Sequence, residues 1–287
     1  MHDGQGGTLP PAETALLLRQ WRGLAAGSVL LDGFHALKHA LRFGATVPIA
    51  LAADRCAVLE LARELAPDLT GTLSELLREV PAEALHGLVP RPHPTGVAAL
   101  AVRGSGRSGG SLTGAPADGG DSRPVLGGTG PRSAGAARAF RAAPVVVLDN
   151  PRHLGNVGAV IRLAAGAGAA GVLTTGTVDP WHPHVVRASA GLHFATVVEQ
   201  CEPSALPPGP LFALDPDGED IRTLALPDDA LIAFGSERHG LSAALRERAD
   251  QLVALPMQPQ VSSYNLATSV AMTLYHWMAG RRPTGVD

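Results

Sequence analysis

Apolar residues fall along this chain in two runs of short blocks and helical stripes, separated by a stretch with no apolar period. In the first run, residues 28–32 read as a strand. Residues 33–43 carry Phe34, Leu37, Ala40 and Leu41 at helical spacing. Residues 47–51 read as a second strand, 58–65 and 73–80 as helices, and 97–102 as a closing strand. Together they make a small α/β module of about 80 residues.

In the second run, continuous apolar blocks at 145–148, 172–173, 211–214, 231–234 and 252–255 alternate with helical stretches. That pattern predicts a parallel sheet covered on both faces. Ligands bind such sheets at the carboxyl ends of the strands, so chemistry is expected in the loops after Leu148, Leu214, Phe234 and Leu255. Between the runs, a stretch dense in Gly and Ser reads as a flexible linker. The organisation expected is 20–103 as a small α/β domain, 104–138 as linker and 139–283 as a larger α/β domain. A linker of this kind implies few contacts between the modules. Around it Arg103, Arg107, Arg123, Arg132 and Arg138 outnumber Asp118 and Asp121, which suits a solvated tether or a segment touching RNA.

Charge narrows the partners. A net charge of −3 argues against a protein that coats nucleic acid non-specifically, though not against a local basic patch. Among 23 basic residues only Lys38 is lysine, so phosphate must be gripped mainly by arginine. His35, Lys38 and Arg42, with His39, fall on the polar side of the first helix and are candidate RNA contacts; a merely solvated face is the alternative. Cys56 and Cys201 lie far apart and in no metal-ligand spacing, which points to reduced thiols in a cytoplasmic protein with no bound metal. The first residues lack the pattern of a secretory signal, and no stretch is apolar enough to span a bilayer, so no membrane partner is expected.

Three segments at the strand ends concentrate glycine, asparagine, serine and charge. The first runs from Asp149 through Asn156 and Gly158 to Arg162. Asn156 is placed to cap a helix beginning at Val157, whose apolar stripe is Val157, Val160, Ile161, Ala164, Ala165 and Gly168. Arg162 falls well off that stripe, with Gly158 one turn before it on the same flank. Arg162 is thus a charge on a rigid element, facing away from its own core, although a plain surface arginine fits the same pattern. The second segment, Phe234-Gly235-Ser236-Glu237 through Gly240-Leu241-Ser242, follows a strand directly. Gly235 admits close approach to the backbone, Glu237 sets a carboxylate at the strand end, and Ser242 is placed to cap the next helix. The third, Pro256-Met257 through Ser263-Tyr264-Asn265, is a polar loop before a helix whose expected buried face is Leu266, Ala267, Val270, Ala271, Leu274 and Tyr275. Ser262 or Ser263 can cap that helix, and its N-terminus also suits a carboxylate-bearing ligand.

Taken in order, Asn156-x-Gly158-x-x-x-Arg162, Phe234-Gly235-x-Glu237-x-x-Gly240-Leu241 and Pro256-Met257 through Ser263-x-Asn265 resemble the three motifs of the SpoU (TrmH) family of RNA ribose 2′-O-methyltransferases, within the SPOUT superfamily. Residues 31–99 resemble, more weakly, the small RNA-binding domain that precedes the catalytic domain in many members. The resemblance implies a parallel sheet with a C-terminal trefoil knot, S-adenosylmethionine as cofactor, and a homodimer whose sites draw on both chains. It makes Arg162 the catalytic arginine, set between the target ribose and its phosphate. Asn156 and Glu237 would orient that arginine and the ribose, with Ser263 and Asn265 at the knot. Backbone at Leu214, Gly235, Leu255, Met257, Tyr264 and Asn265 would hold the cofactor. Two departures, Pro259 where glycine is common and Tyr264 where leucine is usual, fall in the cofactor loop.

The expected activity is therefore methyl transfer to a ribose 2′-hydroxyl, in ribosomal RNA rather than transfer RNA because the N-terminal module resembles those of ribosomal-RNA members. Arg162 would either remove the hydroxyl proton or stabilise the developing oxyanion. A transfer-RNA enzyme and a non-catalytic RNA-binding protein of the same fold are the alternatives. An ordinary dinucleotide enzyme is a poor fit, since Gly166-x-Gly168-x-x-Gly171 ends a helix and enters a strand, the reverse of the required context. Leu274, Trp277 and Met278 lie close together on the last helix and are expected to meet a second copy of the chain, the alternative being that Trp277 closes the protein's own core.

Overall fold

The structure is a computed structural model that describes residues 10–89, 91–106, 110–113 and 141–281. Most of the 104–138 linker lies outside the described residues. The chain builds two sheets. The first has four strands, β1 (Ser28–Asp32), β2 (Ile49–Ala52), β3 (Leu77–Glu79) and β4 (Val97–Val102), in the order β1-β4-β2-β3. Around it lie α1 (Pro11–Ala25), α2 (Phe34–Arg42), α3 (Arg55–Leu65), α4 (Thr70–Leu76) and α5 (Ala82–His86). Two elements depart from the sequence reading. The helix expected over 73–80 ends at Leu76, and Leu77 to Glu79 instead pair with β2. The first helix begins at Pro11, ahead of the expected boundary at 20, and buries Trp21 against the sheet.

The second sheet has six strands, all parallel, in the order β10-β8-β9-β5-β6-β7. They are β5 (Val145–Leu148), β6 (Gly171–Thr174), β7 (Val197–Gln200), β8 (Leu211–Asp220), β9 (Leu231–Phe234) and β10 (Gln251–Ala254). Its helices are α6 (Leu154–Ala167), α7 (Pro183–Ala188), α8 (Ala243–Arg248) and α9 (Leu266–Gly280). β5 and β9 are buried along their whole length, as central parallel strands must be. The register between β8 and β10 slips after Leu252, so residues 214–218 leave the ladder towards the carboxyl edge. Gly218 permits this, because a Cβ there would stand 2.4 Å from the Val253 nitrogen. At the opposite edge, residues 110–113 lie against β7: the Leu112 amide and the Thr113 hydroxyl both donate to Glu199, at 3.3 and 3.2 Å.

The two modules are not loosely tethered, contrary to the expectation from the linker. One cluster of buried apolar side chains runs from Leu31, Phe34 and Leu37 through Val160, Val185 and Phe194. Arg187 of α7 donates to Asp32 at 2.8 Å and to the Arg91 carbonyl, also at 2.8 Å. His39 of α2 meets the Ala190 carbonyl at 2.8 Å. Gly191 (φ +75°) seats α2 against this turn, since a Cβ there would stand 2.5 Å from the Ala36 carbonyl oxygen.

The last helix also differs from expectation. Leu274 and Trp277 are each 2% exposed, and the Trp277 indole donates to Asp228 at 2.9 Å, so both close the protein's own core. Tyr275, placed on the buried face by periodicity, is instead exposed together with Met272 and Met278. Thr273 takes its place inside, its hydroxyl donating back to the Ser269 carbonyl at 2.9 Å. Among the described residues, no helix is long and apolar enough to cross a membrane.

Gly158 lets α6 and α7 approach closely: a Cβ there would stand 2.5 Å from Ala188 Cβ and 2.6 Å from the Val185 carbonyl oxygen. The space beside it is thus filled by the neighbouring helix rather than open near Arg162. Gly158→Val should therefore lower stability by about 1–3 kcal/mol through overpacking. Calorimetry would read this as a fall in Tm, and an unchanged Tm would contradict the close packing of the two helices.

Candidate functional site

At the carboxyl edge of the six-stranded sheet, the ends of β8, β9 and β10, the start of α6 and the loop 255–265 enclose a cleft of about 640 Å³. β5 anchors this edge through Asp149, which is 3% exposed. One carboxylate oxygen of Asp149 accepts from the Thr175 hydroxyl at 2.9 Å, the other from the Ser242 amide at 2.6 Å. Three strand-end segments are thereby tied to one buried group. Ser242 itself caps α8, as its position predicts.

Asn156 plays a different part from the one its position suggested. α6 begins at Leu154 with His153 as its N-cap, so Asn156 lies inside the first turn with its side chain free for other contacts. It donates to Glu237 at 2.9 Å and accepts from the Asn265 amide nitrogen at 3.2 Å. Asn265, not Ser262 or Ser263, caps α9, accepting from the Ala267 amide at 2.9 Å. Side chains 81 and 109 residues from Asn156 in sequence thus form one hydrogen-bonded chain at the mouth of the cleft.

Glu237 is half-buried. Burial works to raise its pKa, but the hydrogen bonds from Asn156 and from the backbone, with the nearby His153, outweigh it and hold the carboxyl below its ordinary value. The Arg152 amide contributes one of those bonds, at 3.3 Å. Gly235 serves the turn more than a ligand: a Cβ there would stand 2.1 Å from the Gly240 carbonyl carbon, where Ser236 and Gly240 bridge.

The sequence-predicted residues divide between two places. Asn156, Glu237, Ser263 and Asn265 line the cleft. So do Leu214, Gly235, Leu255, Met257 and Tyr264, whose hydroxyl closes the loop on the Pro256 carbonyl at 3.0 Å. Arg162 does not join them. It stands six residues beyond Asn156, about 9 Å along the helix and about 120° round it. There it lines a second cleft, between the modules, together with His35.

Of the other two RNA candidates, Lys38 is only 9% exposed, and its pKa is lowered by burial first and then by Arg42 and Arg162. Arg42 is held by Asp68 through two bonds, at 3.0 and 2.5 Å. Sequence reasoning missed His153, Asp215 and Ser236 in the first cleft. His153 and Ser236 lie inside two of the predicted segments without having been given a role there, and Asp215 directly follows Leu214. Among the described residues, no group of three or more His, Cys, Asp or Glu side chains is arranged to hold a metal ion.

Residues 143–275 match the family described as SpoU rRNA Methylase. An uncharacterized tRNA/rRNA methyltransferase of Synechocystis is 35% identical over 141 residues, which take in 45% of this chain and 51% of that protein. The chain thus spans about half the length of this curated relative. A crystal structure of an RNA 2′-O ribose methyltransferase is 28% identical, with a TM-score of 0.63, over 96% of this chain and 97% of that one. The SpoU methyltransferase AviRb from Streptomyces viridochromogenes, solved with the cofactor AdoMet, shares the fold at 22% identity, with a TM-score of 0.64 over 94% of this chain and 98% of that one.

Asn156→Ala should raise the Glu237 pKa towards the ordinary carboxylate value, because it removes the largest influence holding that pKa down. A lowered folded pKa gives stability that is present above the unfolded value and lost as pH falls through the folded one. The variant should therefore lose stability mainly above the ordinary carboxylate range. A carboxyl-carbon NMR titration reads the shift directly, and an unmoved Glu237 would show that the hydrogen-bonded chain is not formed.

Proposed function

From the match of residues 143–275 to the SpoU rRNA Methylase family, we propose that the protein methylates a ribose 2′-hydroxyl in RNA, with S-adenosylmethionine as donor and ribosomal RNA as substrate. The observation that carries this reading is the chain Glu237–Asn156–Asn265, which joins all three motif segments at one cleft mouth.

The cleft fits the cofactor. Its volume lies within the usual range for small-molecule sites. Leu214, Leu255 and Met257 offer apolar walls for an adenine ring, while Ser263 and Asn265 stand at the N-terminus of α9, suited to a carboxylate. When bound, S-adenosylmethionine supplies a methyl group already activated on a sulfonium. The chain's own residues supply the rest. Glu237, kept ionised and oriented by Asn156, is placed to accept a hydrogen bond from a ribose hydroxyl. As the hydroxyl proton passes to the Glu237 carboxylate and on to solvent, Arg162 would bring fixed positive charge to the oxygen and to the adjacent phosphate; a guanidinium is a poor base at neutral pH.

Arg162 opens onto a different cleft from the other motif residues of the same chain. That separation supports a homodimer in which Arg162 of one copy serves the cofactor cleft of its partner. The exposed Met272, Tyr275 and Met278 on α9 are the apolar surface available for that contact, in place of the buried Trp277. With this reading go the trefoil knot of the family, a cytoplasmic location, and a division of labour between an RNA-binding module at 20–103, a linker at 104–138 and a catalytic domain at 139–283.

Incubating the protein with methyl-labelled S-adenosylmethionine and ribosomal RNA from a strain lacking its gene should give label in nucleotides that resist alkaline cleavage. Label in a base, or in transfer RNA alone, would contradict the assignment. Arg162→Ala should abolish transfer while leaving cofactor affinity within a few-fold of wild type. Mixing inactive Arg162→Ala with inactive Glu237→Ala should then restore about a quarter of wild-type activity, because half of a random mixture is heterodimer with one intact site of two. A mixture as inactive as its components would refute the shared site.

A further inference from the structure

The second cleft, of about 690 Å³, lies where α2 and the segment before β4 meet α6 and α7. Its charge is one-sided. Arg91, Arg162 and Arg187 face a single carboxylate, Asp32. Asp32 is 8% exposed, ion-paired with Arg187 at 2.8 Å, and accepts a hydrogen bond from the His93 amide at 2.9 Å. Four histidines, His35, His39, His93 and His184, complete the polar wall. The cleft walls come from both modules, and their relative position is fixed by His39 on Ala190 and by the close seat at Gly191.

We propose that this cleft is a binding site for the phosphodiester backbone of RNA, with Arg91, Arg162 and Arg187 as permanent charges and the histidines as additional donors. The proposal rests on the RNA reading above and adds to it the residues that hold the strand beside the reacting ribose. With Arg187 spent partly on Asp32, Arg91 and Arg162 still leave the concave cleft with a net positive charge among the described residues, which favours a polyanion.

The histidines add a dependence on pH. The Ala190 carbonyl can only accept, so His39 carries its proton on Nδ1, and its Nε2 becomes a donor only when the ring is protonated. His35 and His39 are both held below the ordinary histidine value, by burial first. For His35 the further causes are Lys38, His93 and Arg162; for His39 they are Lys38, His35 and Arg162, partly offset by the bond to Ala190. The surrounding groups are Lys38 and the Asp68-paired Arg42 on the same helix, Asp32 and His93 from the sheet side, and Arg162, His184 and Arg187 from α6 and α7. An entering phosphate would offset that positive field and favour the protonated rings. Affinity for RNA therefore rises as pH falls.

The test uses the full chain and a fluorescein-labelled oligouridylate, with binding read by anisotropy. Affinity should strengthen several-fold between about pH 8 and about pH 6. Arg91→Ala combined with His184→Ala, both at exposed positions, should weaken binding by about tenfold and make it less salt-dependent. His35→Gln, also exposed, should remove part of the pH dependence that other surface histidines would leave intact. Wild-type affinity in the double variant, or a pH response unchanged by His35→Gln, would overturn the proposal. Calorimetric titration of the same samples with S-adenosylmethionine separates the two readings. A protein that binds the oligonucleotide through these residues but takes no cofactor would uphold the cleft and sink the methyltransferase assignment.

Discussion

Asn156 uses both ends of its amide at the same time, donating to Glu237 and accepting from Asn265, and Asn265 in turn caps α9. The strand-end turn after β9, the first turn of α6 and the start of α9 therefore cannot be placed independently. An amide suits this junction because it presents a donor and an acceptor in fixed, opposed directions; a carboxylate would repel Glu237, and a hydroxyl would not reach both partners. Asp149 does similar work one layer below, where its two oxygens hold Thr175 and Ser242. The cleft is shaped by these two side chains, and the parallel sheet beneath them supplies the rigid floor.

The contact between the modules obeys a different constraint. Gly191, with a positive φ, and Ala190, with φ +54°, form a tight turn that presents one carbonyl to His39 and leaves room for the backbone of α2. Non-glycine residues rarely adopt that conformation. Here it is held by the surrounding packing and by the hydrogen bond to His39. One wall of the basic cleft is thus set by backbone geometry in the large domain, the other by a helix in the small one.

Much of this was legible in the sequence, for reasons that differ from place to place. The central strands β5 and β9 are continuous apolar runs with turn residues on both sides, and such runs have one reading in an α/β chain. β7 was missed because Val197 and Val198 give way at once to Glu199 and Gln200, leaving too short an apolar signal. The stretch 73–80 read as one helix because the pairing of Leu77 with Ala50 is non-local and leaves no local trace. In the site, residue types and spacing located the cleft-lining positions but read Asn156 by its place in the chain as a cap, and on the last helix Trp277 was expected to meet a second copy of the chain. Both errors concern which partner a side chain finds across the fold, and periodicity carries no such information. The histidine-lined cleft was less legible still, since His35, His93 and His184 come from three distant segments of both modules.

Residues 110–113 bear on the exposed margin of the larger sheet. β7 is only four residues long and forms one margin of the six-stranded sheet, where unpaired backbone groups invite another chain to add a strand. The segment beside it is anchored to Glu199 and packs Leu112 against the adjoining apolar cluster. A Cβ at Gly171 would stand 2.5 Å from the Leu112 side chain, so β6 makes room for it. The described part of the connection between the modules thus packs beside β7 and is tied through Glu199 to the larger sheet, so this margin carries side chains from another part of the chain.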